Sequence, residues 1–308
     1  MMNSSLLSWT SNTINSSVNT FMAPYDLQIQ ISNLEELPAL PGNAVRILQL
    51  ASDPTADAEK LADIIELDPL LTAQIIRWAS SSLYAYSGKI SSVRDAINRV
   101  LGFDVVFNLA LCMSTIAPLK APKDGPIGTR SFWIHAMASS RLMPLLNSQM
   151  PLENRLQDSE VFLAGLLHNI GYPLLGDQFS EEFNCLNKLI AANPSLSVVA
   201  LERFSLGVSH NVLGAWLMKS WRMPSPIVDV VYHHHNTNYR GENYRLNLLT
   251  YLNDCLLGQV GIGNGKNQSY SEELLGLLNL PATIIDYSLD RLGEMLEDIF
   301  VKVDSVIG

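Results

Sequence analysis

The sequence predicts an all-α fold, and three observations support this prediction. Apolar side chains recur every three or four residues through most of the chain, which is the spacing of one helical face. Residues that cap helix N-termini stand immediately before several of these periodic segments. No set of segments alternates apolar and polar residues as half-buried strands do. Hydrophobic residues make up 47% of the 308 residues and charged residues 16%, which excludes a chain disordered through low hydrophobicity.

The first helices are predicted between residues 44 and 102. Residues 44–50 place their apolar side chains on one helical face. Asp57 and Asp68 are placed to cap the next two helices, and a proline follows Asp68 at the first helical position. Ser92 opens a fourth helix with a Ser-Val-Arg-Asp pattern typical of a capping box, and Gly102 is suited to end it.

Further helices are predicted after an internal boundary. Two prolines and two glycines between Lys120 and Gly128 interrupt the helical periodicity, so we divide the chain near residue 125. Residues 281–306 predict a closing amphipathic helix, which a glycine-rich linker connects to the preceding helices. The helical patterns between the boundary and this linker cover residues 131–146, 159–170, 209–220, 226–235 and 246–257.

The predicted organisation has four parts. Residues 1–30 form a polar tail that we expect to be flexible, because thirteen of the first twenty residues are Ser, Thr or Asn and none of the twenty is charged. An N-terminal helical subdomain at residues 31–122 and a second helical subdomain at residues 123–260 follow. Residues 261–308 hold the linker and a C-terminal helical extension.

Charge and composition argue against several classes of protein. A net charge of −10 and a pI near 5.0 disfavour binding to nucleic acid and to anionic membranes. The apolar stretches end before the roughly 18 residues that span a bilayer, and the first basic residue is Arg46, too late for a secretory signal. The three cysteines are isolated and form no disulfide framework. We therefore expect a cytoplasmic protein.

Several motifs occur in an order that resembles one known family. They include Leu37-Pro-Ala-Leu-Pro-Gly, the segments 61–72 and 91–102, Phe132-Trp-Ile-His, Ala164-Gly-Leu-Leu-His-Asn-Ile-Gly, and His210 followed by Gly214. Over residues 34–240 the chain resembles HDOD domains, the HD-related output domains of bacterial signalling proteins. The resemblance implies an N-terminal helical subdomain packed on a degenerate HD-like helical bundle, with a regulatory rather than catalytic role.

The resemblance also implies a set of site residues. Active HD-type phosphohydrolases bind divalent metal through separated histidines, a His-Asp pair and a later aspartate, and the metal activates a water molecule. The matching positions here are His135, His168 with Asn169, and Asp254, so the pair has become His-Asn. An amide offers one neutral carbonyl oxygen where a carboxylate offers two charged oxygens. The lysine that follows this pair in many HD enzymes is Tyr172 here, which also argues against catalysis.

Three later histidines leave a metal site open. His210, His234 and His235 occupy places where the related HD-GYP enzymes supply further ligands. We expect no cofactor unless this cluster is functional, in which case Fe, Mn, Zn or Ni would bind. In the alternative interpretation the site is vestigial, and the histidines make hydrogen bonds within the core. The adjacent histidines at residues 233–235 would then point in different directions on a helix, and Asp254 would be a solvated or capping residue.

The sequence favours a non-catalytic regulatory module that binds other signalling proteins, and it allows self-association. One alternative is a metal-dependent phosphohydrolase acting on a nucleotide or a cyclic dinucleotide. Another is a module that senses a metal or ligand without turnover. Tyr84 and Tyr86, between two predicted helices, are candidate contacts for a partner or ligand.

Overall fold

The computed structural model describes residues 37–81, 84, 86–264 and 268–307, and all of their regular secondary structure is helical. No strand occurs in this described part, so the predicted all-α class is confirmed. The predicted N-terminal tail lies outside the described residues. The α-helices are α1 (Gly42–Ala51), α2 (Ala58–Glu66), α3 (Pro69–Ala79), α4 (Val93–Ala96), α5 (Phe103–Ile116), α6 (Thr129–Ser148), α7 (Asp158–Leu167), α8 (Gly171–Gln178), α9 (Ser180–Ala192), α10 (Val198–Leu206), α11 (His210–Ser220), α12 (Ser225–His233), α13 (Tyr244–Gln259), α14 (Glu272–Leu278) and α15 (Thr283–Ile307).

The N-terminal helices begin at the capping residues that the sequence predicts. The side chains of Asp57, Asp68 and Ser92 accept hydrogen bonds from backbone N–H groups in the first turns of α2, α3 and α4. A π-helical turn, Ile97–Leu101, extends α4 and ends at Gly102. The φ of Gly102 is +80°, a conformation that favours glycine, and α5 starts at the next residue.

The long helix α6 lies at the centre of the bundle. It packs against α7, α13 and α15, and most of its side chains are buried. Arg130 in its first turn donates two hydrogen bonds to Asp304 of α15, at 2.6 and 3.0 Å. Leu292 and Ile299 of α15 are buried in the same hydrophobic core. The predicted C-terminal extension is thus part of the wall that surrounds α6.

Contacts between the N-terminal helices and the rest of the chain are extensive. Helix α5 packs against both α1 and α7. The indole N–H of Trp221, just after α11, donates to the carbonyl oxygen of Pro38 at 2.6 Å. A subdomain boundary near residue 125 stays a prediction. No helix in the described residues has the length and apolarity needed to cross a membrane.

Two helices end earlier than predicted, and both ends matter for the site. The pattern predicts helices over residues 159–170 and 226–235, whereas α7 ends at Leu167 and α12 ends at His233. His168, His234 and His235 therefore lie just beyond helix ends rather than on a helical face. The backbone angles of His168 and His234 are still in the αR region, so both residues occupy the C-cap positions of their helices.

Candidate metal centre

The packed helices α6 and α13 contribute His135 and Asp254. Both side chains are buried, and His135 Nε2 lies 3.3 Å from Asp254 Oδ1. On the other side of the imidazole, His135 Nδ1 lies 3.4 Å from Ser139 Oγ, which accepts a hydrogen bond from the amide of Asn253 at 2.9 Å. Asp254 is therefore an inward-facing carboxylate, not the solvated or capping residue of the alternative interpretation.

His168 and Asn169 follow the last residue of α7. The Nδ1–H of His168 donates to the carbonyl oxygen of Ala164 at 2.9 Å, which directs Nε2 inward. This Nε2 lies 3.3 Å from the same Asp254 oxygen that faces His135. The Asn169 amide nitrogen lies 3.0 Å from His168 Nε2 and 3.4 Å from His135 Nδ1. The amide of the altered His-Asn pair thus lies between two imidazoles.

His210, the first residue of α11, is held by a glutamate of α10. Both carboxylate oxygens of Glu202 lie 2.8 Å from His210 Nδ1, and one of them also accepts the backbone N–H of His210 at 3.1 Å. Glu202 has no solvent exposure. The ring of Tyr172 stacks on the His210 imidazole with 4.1 Å between centroids. These contacts direct His210 Nε2 towards the other histidines.

The run of three histidines divides between the cluster and its surroundings. His234 and His235 both join the cluster, with their Nε2 atoms 3.3 and 3.2 Å from His210 Nε2. The Nδ1–H of His234 donates to a backbone carbonyl of α12 at 2.9 Å. His233, the last helical residue, instead stacks on Tyr239 with 3.9 Å between ring centroids. The expectation that adjacent histidines point apart is correct for His233 and wrong for the other two.

The six side chains form two adjacent triads. We name them the carboxylate triad (His135, His168 and Asp254) and the tri-histidine triad (His210, His234 and His235). Within each triad, one donor atom from every residue lies within 4.8 Å of the others. The rings of His168 and His234 join the two triads, with 5.3 Å between their centroids.

The geometry of these donors fits a divalent transition-metal ion. The donor pairs described above are 3.2–3.3 Å apart. Two ligands that each lie about 2.0–2.1 Å from a tetrahedral ion are themselves about 3.3 Å apart. The outer hydrogen bonds of His168, His210 and His234 direct their Nε2 atoms inward, as outer-shell partners of metal ligands do. Imidazole and carboxylate donors suit Fe, Mn, Zn and Ni.

Burial keeps three of the imidazoles in the neutral form that binds metal. It lowers the pKa of His135, places the pKa of His234 well below its usual value, and lowers that of His235 to about 3. Burial also disfavours the charged form of His168, but the adjacent Asp254 outweighs it and raises the pKa of His168. Burial likewise opposes ionisation of Asp254, yet His168 and His135 hold its pKa well below the usual range.

A small pocket of about 40 Å³ is lined by His135 and Asp254 of the carboxylate triad and by Asn169 and His235. Gly263, with φ +71°, forms part of its wall and lies so close to His135 that a Cβ would overlap the imidazole. The predicted linker therefore contributes to the site. No lysine or arginine lines the pocket among the described residues. The pocket thus offers little to neutralise a phosphate group.

Glu202 is the site residue that the sequence analysis missed. A signal was present, because Glu202 shares the buried face of α10 with Val198, Leu201 and Leu206. A carboxylate at that spacing predicts a buried partner. The partner itself is a contact between two helices, and no local pattern marks such a contact.

The two predicted tyrosine contacts lie elsewhere. Tyr84 is half-buried against the core, its hydroxyl accepts a hydrogen bond from the Trp78 indole at 3.2 Å, and the Arg141 guanidinium lies 4.3 Å above its ring. Tyr86 is 38% exposed. Neither residue lines the pocket, and a role for either in binding a partner stays a prediction.

Comparison with known proteins identifies relatives of the whole described fold. The family described as HDOD domain matches residues 37–237. A crystal structure from Marinobacter aquaeolei VT8, provisionally named a signal transduction protein, is 31% identical with a TM-score of 0.82, and the match covers 93% of this chain and 66% of that one. The chain therefore spans about two thirds of that relative's length.

More distant structures share the fold alone. An HDOD domain protein of unknown function from Geobacter sulfurreducens is 24% identical, with a TM-score of 0.72 over 92% of this chain and 97% of its own. A protein from Shewanella amazonensis SB2B, provisionally named a metal-dependent phosphohydrolase, is 20% identical, with a TM-score of 0.62 over 91% and 97% of the two chains.

An uncharacterized Treponema pallidum (strain Nichols) protein is 21% identical over 238 residues, which are 74% of this chain and 45% of that relative.

Proposed function

This chain belongs to the HDOD domain family, and from that membership and the geometry of its site we propose a non-catalytic signal-transduction module whose histidine cluster binds a divalent transition-metal ion. The ion would stabilise one packing of the helices without turning over a substrate. The output of the module would be recognition of another signalling protein. The name of the Marinobacter relative supports this class of function.

The position of the Asn169 side chain carries the proposal. Its amide nitrogen lies 3.0 Å from His168 Nε2 and 3.4 Å from His135 Nδ1, in the place where the His-Asp pair of an HD enzyme has a carboxylate. A carboxylate here would add negative charge and two oxygens able to bridge hard cations, whereas the amide adds a donor. Asn169 therefore removes the charge that a pair of ions would need to activate water towards a phosphate.

The electrostatics of the pocket point the same way. Phosphoryl-transfer sites place cationic side chains or metal ions around the charge that develops in the transition state. The described lining of this pocket carries the carboxylate of Asp254 and no basic side chain. Apart from a bound ion, the described side chains would therefore offer little to attract an anionic phosphate ester.

A bound ion would couple the site to the packing of the bundle. The donors come from five segments: α6, α11, α13 and the residues just after α7 and α12. When bound, the ion supplies Lewis acidity and a crosslink among these segments. A ligand that binds only the folded form stabilises it by about 4 kcal/mol at a concentration 1,000 times its Kd. Site occupancy would thereby select one helix arrangement for a partner to recognise.

The proposal is tested on the full chain purified without a histidine tag. We expect elemental analysis to find bound transition metal, and we expect no hydrolysis of bis(p-nitrophenyl) phosphate or cyclic dinucleotides above the rate of Mn²⁺ or Fe²⁺ in buffer. Hydrolysis that disappears in Asp254→Asn would contradict the non-catalytic assignment. Protein that binds no metal after loading with Zn²⁺, Fe²⁺ or Mn²⁺ would contradict the metal-binding part.

The second candidate is a metal-dependent phosphohydrolase acting on a nucleotide or cyclic dinucleotide. One observation favours it: the pocket continues into a groove of about 480 Å³ along Arg130, Leu196 and Phe300, which has room for such a substrate. Turnover that requires both His135 and His210 would establish this candidate in place of the first.

A further inference from the structure

The helices α11 and α12 carry two exposed aromatic side chains. Trp216 of α11 is 37% exposed and Tyr232 of α12 is 45% exposed. Aromatic rings of this kind are enriched in protein interfaces, because each offers a large rigid contact area with few rotatable bonds. Val212, Trp216 and Lys219 follow one another at spacings of four and three residues along α11, so their side chains share one helical face.

A concave pocket lies at one end of this stripe. Its volume is about 560 Å³, and its lining includes Val212 of the stripe together with Arg203 and Tyr232. The amide of Asn211 donates to the carbonyl oxygen of Tyr232 at 2.6 Å, which holds the start of α11 against the end of α12. The stripe and the pocket therefore form one surface, which we name the α11–α12 face and define by Arg203, Val212, Trp216, Lys219 and Tyr232.

The charge of the α11–α12 face is opposite in sign to that of the whole chain. Its charged side chains are Arg203 and Lys219, which are both exposed and form no ion pair with a carboxylate of the described residues. Asp229 is the one acid of residues 203–235, and it accepts a hydrogen bond from Asn243 at 2.8 Å. The chain as a whole has a net charge of −10. A basic face on an acidic protein favours an acidic binding partner.

The helices of this face also carry three of the clustered histidines. His210 is the first residue of α11, and His234 and His235 follow the last residue of α12. His235 lines the pocket of the α11–α12 face as well. An ion bound in the cluster would therefore restrain the same two helices that present Trp216 and Tyr232 to a partner.

We infer that the α11–α12 face binds an acidic peptide segment of a partner protein. The inference deepens the proposed recognition of a signalling protein and rests on that proposal. An apolar side chain of the segment would pack against Trp216 and Tyr232, while its carboxylates pair with Arg203 and Lys219. A second copy of this chain fits less well, because a two-fold contact through this face would bring identical basic side chains together.

Peptide selection tests the chemical preference of the face. A phage-displayed library of random peptides is selected on the untagged full chain, once with Zn²⁺ and once with chelator. We expect the enriched sequences to combine Asp or Glu with a large apolar residue. Enrichment of basic or uncharged sequences, or no enrichment under either condition, would overturn the inference.

Substitutions then locate the enriched peptide on the protein by fluorescence anisotropy. Trp216→Ala should weaken its binding by about 10-fold or more, as truncation of a central interface aromatic does. Lys219→Glu should weaken it by about 3-fold or more and reduce its salt dependence. The matched controls are Tyr287→Ala and Lys188→Glu, which change an exposed tyrosine of α15 and an exposed lysine of α9 and should leave the affinity at its wild-type value.

Far-UV circular dichroism and thermal unfolding show whether each variant is folded. Lys219 is exposed at the end of α11, so Lys219→Glu keeps the test open even if Trp216→Ala does not fold. Wild-type peptide affinity in the folded variants would place the peptide elsewhere and overturn the inference. So would a dimer, seen by analytical ultracentrifugation, that Lys219→Glu dissociates, because the occupant would then be a second copy.

Zinc dependence separates this inference from the proposed metal function. Peptide affinity that rises with Zn²⁺, together with zinc affinity that rises by the same factor when peptide is present, would support both. Equal peptide affinity in Zn²⁺ and in chelator, with the losses in Trp216→Ala and Lys219→Glu retained, would support the docking face and contradict its coupling to an ion. Zinc binding without any selected peptide would support the metal function and overturn the docking face.

Discussion

Replacing Glu202 by glutamine tests how this protein holds its histidine cluster. Glu202 is fully buried and accepts the Nδ1–H and the backbone N–H of His210. Glutamine keeps the size and one carbonyl acceptor, but its NH₂ group must face one of the two His210 donors. The variant therefore removes charge and acceptor capacity with little change in volume.

The magnitude follows from the two hydrogen bonds. A hydrogen bond to a charged group stabilises a protein by about 1.5–3 kcal/mol, and a neutral one by about 0.5–1.5 kcal/mol. Loss of the charge at two bonds therefore lowers the free energy of unfolding of the metal-free protein by about 2 kcal/mol, and Tm by roughly 4 °C. Removing an outer-shell partner of a metal ligand also weakens metal binding by about 10- to 100-fold.

The assay combines urea unfolding in chelator with Zn²⁺ titration of the folded protein. Glu182→Gln is the matched control, because Glu182 is a buried glutamate on α9 outside the histidine cluster. Wild-type stability and zinc affinity in Glu202→Gln would refute the positioning role. Equal losses in Glu182→Gln would show that burial of any glutamate, rather than contact with His210, produces the effect.

Three other predictions concern packing and pH. In Gly171→Ala a Cβ would overlap the carbonyl oxygen of His210, so we expect urea unfolding to show a free energy of unfolding lower by about 1–3 kcal/mol or more. Gly276 has open space around it, so Gly276→Ala should leave the free energy of unfolding unchanged or raise it slightly. Burial lowers the pKa of His235 to about 3 in the folded protein, whereas the unfolded chain protonates this histidine near pH 6.5. The free energy of unfolding of the metal-free protein should therefore decrease as the pH is lowered from 6.5 to 3, by up to about 1.4 kcal/mol per pH unit for this residue. His235→Gln should reduce that slope, and an unchanged slope would contradict the assigned shift. Tyr84→Leu removes the ring beneath the Arg141 guanidinium and should lower the free energy of unfolding by about 1 kcal/mol, while a change below 0.3 kcal/mol would show that the contact contributes little.

Much of the fold was predictable because its signals are local. Asp57, Asp68 and Ser92 cap their helices through N–H groups two or three residues away, so a short stretch of sequence contains both partners. Helix ends without such caps were less predictable. The end of α12 at His233, two residues before the predicted end, is the clearest example.

The site was predictable as a set of residues but not as an arrangement. The resemblance to HDOD domains and to the related HD enzymes had named every histidine of the two triads and Asp254 as candidates. It did not identify Glu202, because the hydrogen bonds that make this residue important join two helices. It also treated the segment after residue 260 as a linker, although Gly263 packs against His135.

The sequence by itself determined an all-helical chain, the start of several helices, the list of candidate metal-ligating side chains and the amide at position 169. Each of these is a property of a residue or of a few neighbours along the chain. Only the tertiary structure decided that the donors divide into two triads, and that the Asn169 amide lies between His168 and His135. Ligand geometry depends on ångström distances between residues far apart in sequence, and the packing of helices around α6 sets those distances.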